Sequence, residues 1–245
     1  MSTTNPDSQG GPAGPRTHVP QLRLPGQAAA PEGPVDMTMM YLMHHAFRRD
    51  LSLFATAVPR TPVEDRGAWR ALEKRWALFS TALHHHHAGE DAWLWPELVR
   101  RAEPEERVTL EAMEAEHAEI DPLLEACRDG LASMAATPSA ETRAALAVRL
   151  VAARESLARH LEHEESDTIA LLQRVFTQQD WDDVDEHFKA ELTLGKLLRL
   201  VPWALQGVPA DVREGLFAQP GGGAHRAVWL LTRRGFERAH RRAFG

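Results

Sequence analysis

The sequence HHHHAGEDAWLWPEL, residues 84–98, contains the pattern on which the fold prediction rests. It continues one face of a helix, because apolar residues precede it at steps of three and four positions. His86 and Glu90 extend this face into the predicted core, where an imidazole and a carboxylate are costly unless something pairs with them. Their four-residue spacing stacks the two side chains, so one metal ion could use both. The residues of this face are Trp69, Leu72, Trp76, Phe79, Leu83, His86, Glu90, Trp93 and Glu97.

Three further helices are predicted, and each carries a histidine on its apolar stripe. The last of them repeats the spacing of the second helix, with a glutamate four positions after the histidine. Because neighbouring helices of an up-and-down bundle run in opposite directions, these side chains can meet at one level of the core. The predicted helices span residues 35–58, 63–101, 104–131 and 139–177, and Pro96 is expected to kink the second. The six candidate metal ligands are His44, His86, Glu90, His117, His160 and Glu164. His163 and His187 lie off the apolar stripes and are expected to be solvated.

The chain divides into three parts. Residues 1–34 are rich in Gly, Pro, Ser and Gln and are predicted to be a disordered arm. Residues 35–177 are predicted to form an all-α, antiparallel up-down-up-down four-helix bundle. Residues 178–245 are predicted to be a helical extension, with helices at 180–192, 196–206, 210–217 and 224–244. The last of these is basic and amphipathic, and contact with the bundle, a partner or a membrane surface is left open.

Composition excludes several classes of protein. The net charge of −7 carries no basic bias, so nucleic-acid binding is not expected. Cys127 is the only cysteine, which rules out a disulfide within the chain and fits a reducing, cytoplasmic location. The N-terminus lacks the features of a signal peptide. No apolar run reaches about 18 residues, so no membrane span is expected.

The six candidate ligands also indicate which metal they would hold. Imidazole and carboxylate together suit iron, and two carboxylates able to bridge indicate two ions rather than one. No thiolate belongs to the set, so a structural zinc site is not expected. We therefore predict two iron ions, with open positions for a small inorganic ligand.

Four segments resemble the hemerythrin family, in particular the bacterial histidine–histidine–glutamate cation-binding domains. They are HHAFRRDL (44–51), HHAGEDAWLWPEL (86–98), EAEHAEIDPLLEA (114–126) and HLEHEESD (160–167), and the resemblance covers about residues 35–176. The family pattern selects His86 from the run of four histidines, so His84, His85 and His87 are expected at the surface or beside the ligands. It implies a non-heme di-iron centre that is oxo- and carboxylate-bridged.

One position departs from the animal oxygen carriers of this family, which have a second histidine one turn after that of the third helix. This chain has Asp121 there. Whether Asp121 is a further ligand, a neighbour of the ligands or neither is left open. The set of four histidines and two carboxylates is closer to that of bacterial iron-centre repair proteins. Tyr41 and Thr168 are candidates for hydrogen bonding to the ligands or for ordinary packing. Gly89 either leaves room for a small ligand or a close helix, or is a tolerated helix glycine.

Three functions share these ligands. The first is binding or sensing of oxygen, nitric oxide or a related molecule. The second is an enzyme that acts on peroxide or nitric oxide, or an iron donor for damaged clusters. The third is a metal buffer. The sequence leaves open whether the chain is an enzyme.

Overall fold

The four apolar stripes predicted from the sequence lie on long helices. The computed structural model describes residues 18–245, and within them there is no strand, only an isolated bridge between Val19 and Gly33. The all-α class is confirmed. The helices are α1 (Thr38–Ala57), α2 (Arg66–Gly89), α3 (Trp95–Arg101), α4 (Arg107–Ala136), α5 (Ala140–His163), α6 (Ile169–Val175), α7 (Gln178–Ala190), α8 (Leu194–Ala204), α9 (Ala210–Ala218) and α10 (Gly222–Phe244).

Polar side chains fix where several of these helices begin. Asp65 accepts a hydrogen bond from the backbone of Ala68 at the start of α2, and Ser139 does the same at the start of α5. Thr177 and Asp180 cap α7 reciprocally. Such caps satisfy backbone N–H groups that have no partner inside the helix.

Two apolar clusters occupy opposite ends of the long helices. α1 packs against α2 and α5, and α4 packs against the same two helices. The first core includes Phe47, Phe54, Trp76, Leu83, Leu131 and Leu146. The second core includes Met40, Leu94, Leu98, Leu110, Met113 and Leu172. α1 and α4 begin in the second core and end in the first, whereas α2 and α5 begin in the first core and continue, through α3 and α6, into the second.

The predicted second helix contains a π-helical turn that the sequence pattern did not reveal. This turn, Glu90–Leu94, joins α2 to α3, and the backbone N–H of Trp95 donates to the carbonyl of Glu90. A π-turn holds more residues than an α-turn and so shifts the helical register. Trp93, predicted on the core face, is therefore 46% exposed, and Leu94 is buried in its place.

A second π-turn, Glu164–Thr168, joins α5 to α6 in the same way. The backbone N–H of Ile169 donates to the carbonyl of Glu164. The two glutamates predicted to bind metal therefore occupy the same position, the first residue of a π-turn. Turns of this kind are frequent at functional sites.

The N-terminal segment is ordered where the structure describes it. Leu24, Ala30 and Val35 are buried, and the amide of Gln173 in α6 bonds to both the N–H and the carbonyl of Val35. The disorder predicted for residues 1–34 therefore does not hold for residues 18–34, and residues 1–17 lie outside the described part. Composition failed here because a few apolar residues and glutamines were enough to fix the segment.

The C-terminal helices pack on the long ones. α8 contacts α1 and α10, and α10 contacts α2. Val201, Trp203, Phe217 and Ala243 complete the first core. The sequence left open whether the basic helix contacts the bundle, a partner or a membrane surface. In the structure this helix, α10, packs against α2 and α8. Among residues 18–245, none of the helices combines the length and the apolar character needed to cross a bilayer.

A buried ion cluster joins this extension to the rest. Asp50 in α1 is fully buried and accepts from Arg75 Nε at 2.7 Å, from Arg75 Nη2 at 2.9 Å and from Trp203 Nε1 at 2.9 Å. Arg49 also donates to Asp50, and to the carbonyl of Gln206. Although burial by itself would raise it, the two arginines and Trp203 lower the pKa of Asp50. The carboxylate therefore holds α1, α2 and α8 together.

Replacing Asp50 by Asn is expected to lower the free energy of unfolding by about 3–5 kcal/mol, because Arg49 and Arg75 would lose the charge that compensates them. Urea unfolding followed by tryptophan fluorescence measures this change. Asp211→Asn, at an exposed position of α9, is the matched control and should alter stability by no more than about 0.5 kcal/mol. Equal stabilities for the two variants would contradict the role given to Asp50.

Candidate metal centre

All six predicted ligands are buried, and they meet between the two cores. They fall into two groups, in each of which the potential ligand atoms lie within 4.8 Å of one another. The first group takes residues from α1, from α2 and from the first residue of each π-turn. The second takes two predicted residues, from α4 and α5, and one that was not predicted. The first group is His44, His86, Glu90 and Glu164, and the second is His87, His117 and His160.

The two glutamates lie between the groups. Glu90 Oε1 is 3.1 Å from His86 Nε2, and Glu90 Oε2 is 3.7 Å from His117 Nε2. Glu164 Oε2 is 3.2 Å from His44 Nε2 and 3.9 Å from His160 Nε2. Each carboxylate therefore reaches one histidine of each group. This placement suits a carboxylate that bridges two ions.

The electrostatics of the site fit a cation. The carboxylate oxygens of Glu90 and Glu164 are buried and form no well-aligned hydrogen bond among the described residues, although His86 Nε2 and His44 Nε2 lie 3.1 and 3.2 Å from them. Burial, and then the negative charge of Glu164, raise the pKa of Glu90 well above its usual range. Although burial opposes it, His44 holds the pKa of Glu164 at about 2. Two carboxylates this close are costly without positive charge, and metal ions would supply it in place of protons.

His87 was missed by the sequence analysis, which expected it at the surface or beside the ligands. Its ring is buried and stacks on the ring of His117, with centroids 3.9 Å apart, and neither of its nitrogens has a hydrogen-bond partner among the described residues. Burial lowers the pKa of His87 well below its usual range, so the ring is neutral and ready to bind a metal.

The prediction failed because it allowed α2 a single buried face. α2 packs against both α1 and α4. Adjacent residues point about 100° apart around a helix, so His86 faces His44 of α1 while His87 faces His117 of α4. Of the other two histidines of the run, His84 is exposed, as expected, and His85 is half-buried beside Phe188.

Three carboxylates form hydrogen bonds to the ring nitrogens of three of these histidines, on the side of each ring that faces away from the centre. Each accepts a hydrogen bond from the Nδ1 of one ligand histidine, which leaves Nε2 facing the centre. Tyr41 and Thr168 were candidates for hydrogen bonding to the ligands or for ordinary packing. Neither hydroxyl has a hydrogen-bond partner among the described residues. The pairs are His44 with Glu165 at 2.9 Å, His117 with Asp91 at 2.8 Å and His160 with Glu116 at 2.9 Å.

A signal for two of these carboxylates is present in the sequence. Asp91 directly follows Glu90, and Glu165 directly follows Glu164, so each metal-site glutamate begins an acidic pair. Each pair opens a π-turn. The third carboxylate, Glu116, directly precedes His117 but bonds to α5, so no regular spacing identifies it.

Glu165 also connects the site to the N-terminal segment. It is fully buried, and Arg48 donates two hydrogen bonds to it, at 2.6 and 2.9 Å. The backbone N–H of Ala28 donates a further one at 2.7 Å. These donors hold Glu165, and through it the ring of His44, in one orientation.

Two alternatives left open by the sequence are decided by the structure. Asp121 is exposed and belongs to neither ligand group. Gly89 accommodates a close helix, since a Cβ atom there would lie 2.3 Å from the ring of Phe188 in α7. The space beside Gly89 is thus filled by protein rather than by a ligand.

His163 and His187, both expected to be solvated, differ in their surroundings. His163 is half-buried and bonds through Nδ1 to Glu116 at 2.8 Å, so it shares the carboxylate that holds His160. His187 is exposed and stacks on the ring of Trp93. The expectation therefore fails for His163 and holds for His187.

Replacement of His87 tests its place in the second group. His87→Ala, loaded anaerobically with ferrous iron and freed of excess metal, is expected to retain about one ion fewer per chain than the wild type. His84→Ala, which changes an exposed histidine of the same run, should retain the full amount. Elemental analysis gives both values. An unchanged metal content in His87→Ala would remove it from the ligand set.

Glu165→Gln is expected to weaken metal affinity about 10–100-fold, because His44 would lose the negatively charged partner that orients it. Competition with a coloured chelator measures the affinity. Glu162→Gln, at an exposed position near the end of α5 and three residues before Glu165, serves as the control. If both variants bind metal equally well, Glu165 contributes nothing to the site.

A comparison with known families agrees with this geometry. The sequence model of the family described as hemerythrin HHE cation binding domain matches residues 36–172, more than half of the chain. The match spans all seven residues of the two groups. No curated protein and no solved structure matches the chain.

Proposed function

Because the chain belongs to the hemerythrin family of HHE cation-binding domains, we propose that it holds two non-heme iron ions and binds or senses a small inorganic ligand there. The ligand would be oxygen, nitric oxide or a related molecule. In this proposal α1, α2, α4 and α5 form the antiparallel four-helix bundle that surrounds the centre.

The placement of the two glutamates is the observation that carries the proposal. Each of them reaches a histidine of both groups. A single ion would need only one group, and would leave the second cluster of three buried histidines without a reason. Two ions would use every donor, with Glu90 and Glu164 each placed to reach both of them.

The types of donor favour iron over other metals. Imidazole and carboxylate donors together suit iron, while a structural zinc site would normally include thiolates and four-coordinate geometry. The only cysteine, Cys127, is buried in the first core, outside both groups. Manganese shares the preference for carboxylates, but five imidazoles weigh toward iron.

His87 supports ligand binding as the function. Asp121 occupies the position of the second α4 histidine in the animal oxygen carriers of this family, and the apolar stripes predicted from the sequence gave one histidine on each of four helices. His87 adds a fifth from α2. The groups then have unequal numbers of histidines, two in the first and three in the second, so an open position at the first is the natural place for a ligand.

Bound iron would supply redox chemistry and open coordination positions. The chain supplies the rest. Glu165, Asp91 and Glu116 orient three of the rings. The two cores keep bulk water away from the donors, which strengthens every charge interaction at the site.

Metal content and the visible spectrum of protein purified without a histidine tag test the proposal. We expect about two irons per chain and an oxo-bridged charge-transfer band. Glu90→Ala should lose iron, whereas Glu97→Ala, with a half-exposed glutamate of α3, should not. One zinc per chain, or no metal in the wild type, would overturn the proposal.

Reaction with air separates the ligand-binding function from its alternatives. A binder should give a stable spectral change on exposure to oxygen or nitric oxide, with little turnover. An enzyme should consume peroxide or nitric oxide at a rate that Glu90→Ala abolishes. A metal buffer should release iron readily to a chelator.

A further inference from the structure

The two sides of the proposed metal pair differ in chemistry. Toward the first core, the residue three positions from each of four histidines is buried and apolar. The ring of one of them, Phe47, lies 5.2 Å from the ring of His86. None of these four side chains can donate a hydrogen bond to a ligand. The four residues are Phe47, Leu83, Ile120 and Leu157.

Toward the second core, three of the side chains one turn from the ligands carry a polar atom. Tyr41 precedes His44 by three positions, and Thr168 follows Glu164 by four. Trp95 follows Glu90 by five positions, across the π-turn, and its ring lies 6.3 Å from that of His117. On the fourth helix the corresponding residue is the apolar Met113.

All three polar atoms are buried without a partner. Tyr41 Oη, Trp95 Nε1 and Thr168 Oγ1 have no hydrogen bond to any described residue. A buried donor left unpaired costs free energy, so native structures usually account for each one. Trp76 Nε1 is also unpaired, but it lies ten positions before His86 and so several turns from the site.

The charges around Tyr41 make it a donor. Burial, and then the negative charges of Glu165 and Glu164, raise the pKa of Tyr41 above its usual range. The phenol therefore keeps its proton. The indole N–H of Trp95 can only donate, and the hydroxyl of Thr168 can rotate to donate. Three donors beside a metal pair suit an acceptor rather than a cation or an apolar molecule.

We propose that Tyr41, Trp95 and Thr168 form the seat of the small ligand, on the side of the metal pair that faces the second core. They would donate hydrogen bonds to the end of the ligand that points away from the metal. The ligand class is a small inorganic anion or a diatomic molecule with an acceptor atom. This inference rests on the proposed function, because it needs the metal pair to hold the other end of the ligand.

Azide is a suitable probe, since it is a small anion with an acceptor atom at each end. The full chain, loaded with iron and oxidised, is titrated with azide, and the dissociation constant is read from the visible absorption. Tyr41→Phe and Thr168→Val are each expected to weaken azide binding about tenfold, the loss of one hydrogen bond to a charged group. Iron content, measured first, should equal that of the wild type.

Ser156→Ala is the matched control. Ser156 is a buried hydroxyl residue of α5, one turn before His160 and therefore on the side of the first core. Its azide affinity should match the wild type. Equal azide affinities for the wild type, Tyr41→Phe and Thr168→Val would contradict the proposed role of these donors in ligand binding. The proposed metal pair would not be affected by that result. A wild type that takes up no iron would instead overturn the proposed function.

Thermal unfolding of metal-free protein gives a readout that does not involve the iron. Tyr41→Phe removes an unpaired buried hydroxyl and keeps the ring, so its melting temperature should be at or above that of the wild type. With iron and saturating azide, the order should reverse, because the wild type gains the additional hydrogen bond. A variant that melts lower in both conditions would assign the hydroxyl a structural role and overturn the seat.

Discussion

Two buried carboxylates that form no well-aligned hydrogen bond set the main constraint on this structure. Glu90 and Glu164 lie between two apolar cores, and their oxygens have no hydrogen-bond partner among the described residues. Such groups are stable only when positive charge reaches them. The surrounding histidines supply some of it and metal ions would supply the rest. The long helices therefore enclose two hydrophobic cores separated by one polar layer that could hold cations.

Much of this arrangement could be predicted from periodicity alone. Steps of three and four positions located the long helices and placed six polar residues on core faces, and all six are buried. The method failed where its assumptions failed. A constant period of 3.6 residues cannot represent a π-turn, so Trp93 was placed inside. A single buried face per helix cannot describe α2, which packs on two neighbours, so His87 was expected at the surface or beside the ligands and not among them.

Other features lie beyond any local pattern. Glu116 holds His160 across two helices, and Asp50 joins α1 to Arg75 and Trp203, which are far apart in the chain. The disorder predicted from composition was also wrong for residues 18–34. Hydrogen bonds from backbone N–H groups to Gln173 and Glu165 fix this segment although it holds few large apolar residues. Contacts between distant segments depend on tertiary packing, which the spacing of residues along one sequence does not reveal.

The two ligand groups are linked most directly through α2. His86 belongs to the first group and His87 to the second, so adjacent residues of one rigid helix would bind different ions. Among the described residues, neither has a carboxylate hydrogen-bonded to its Nδ1, in contrast to His44, His117 and His160. The other three are each the one candidate ligand histidine of their helix, and a carboxylate from another element fixes each ring. The two on α2 are fixed by the helix itself and by packing, His87 against His117 and His86 against Phe47. The backbone of α2 would therefore set the spacing of the two ions, and the carboxylates would adjust the other rings to it.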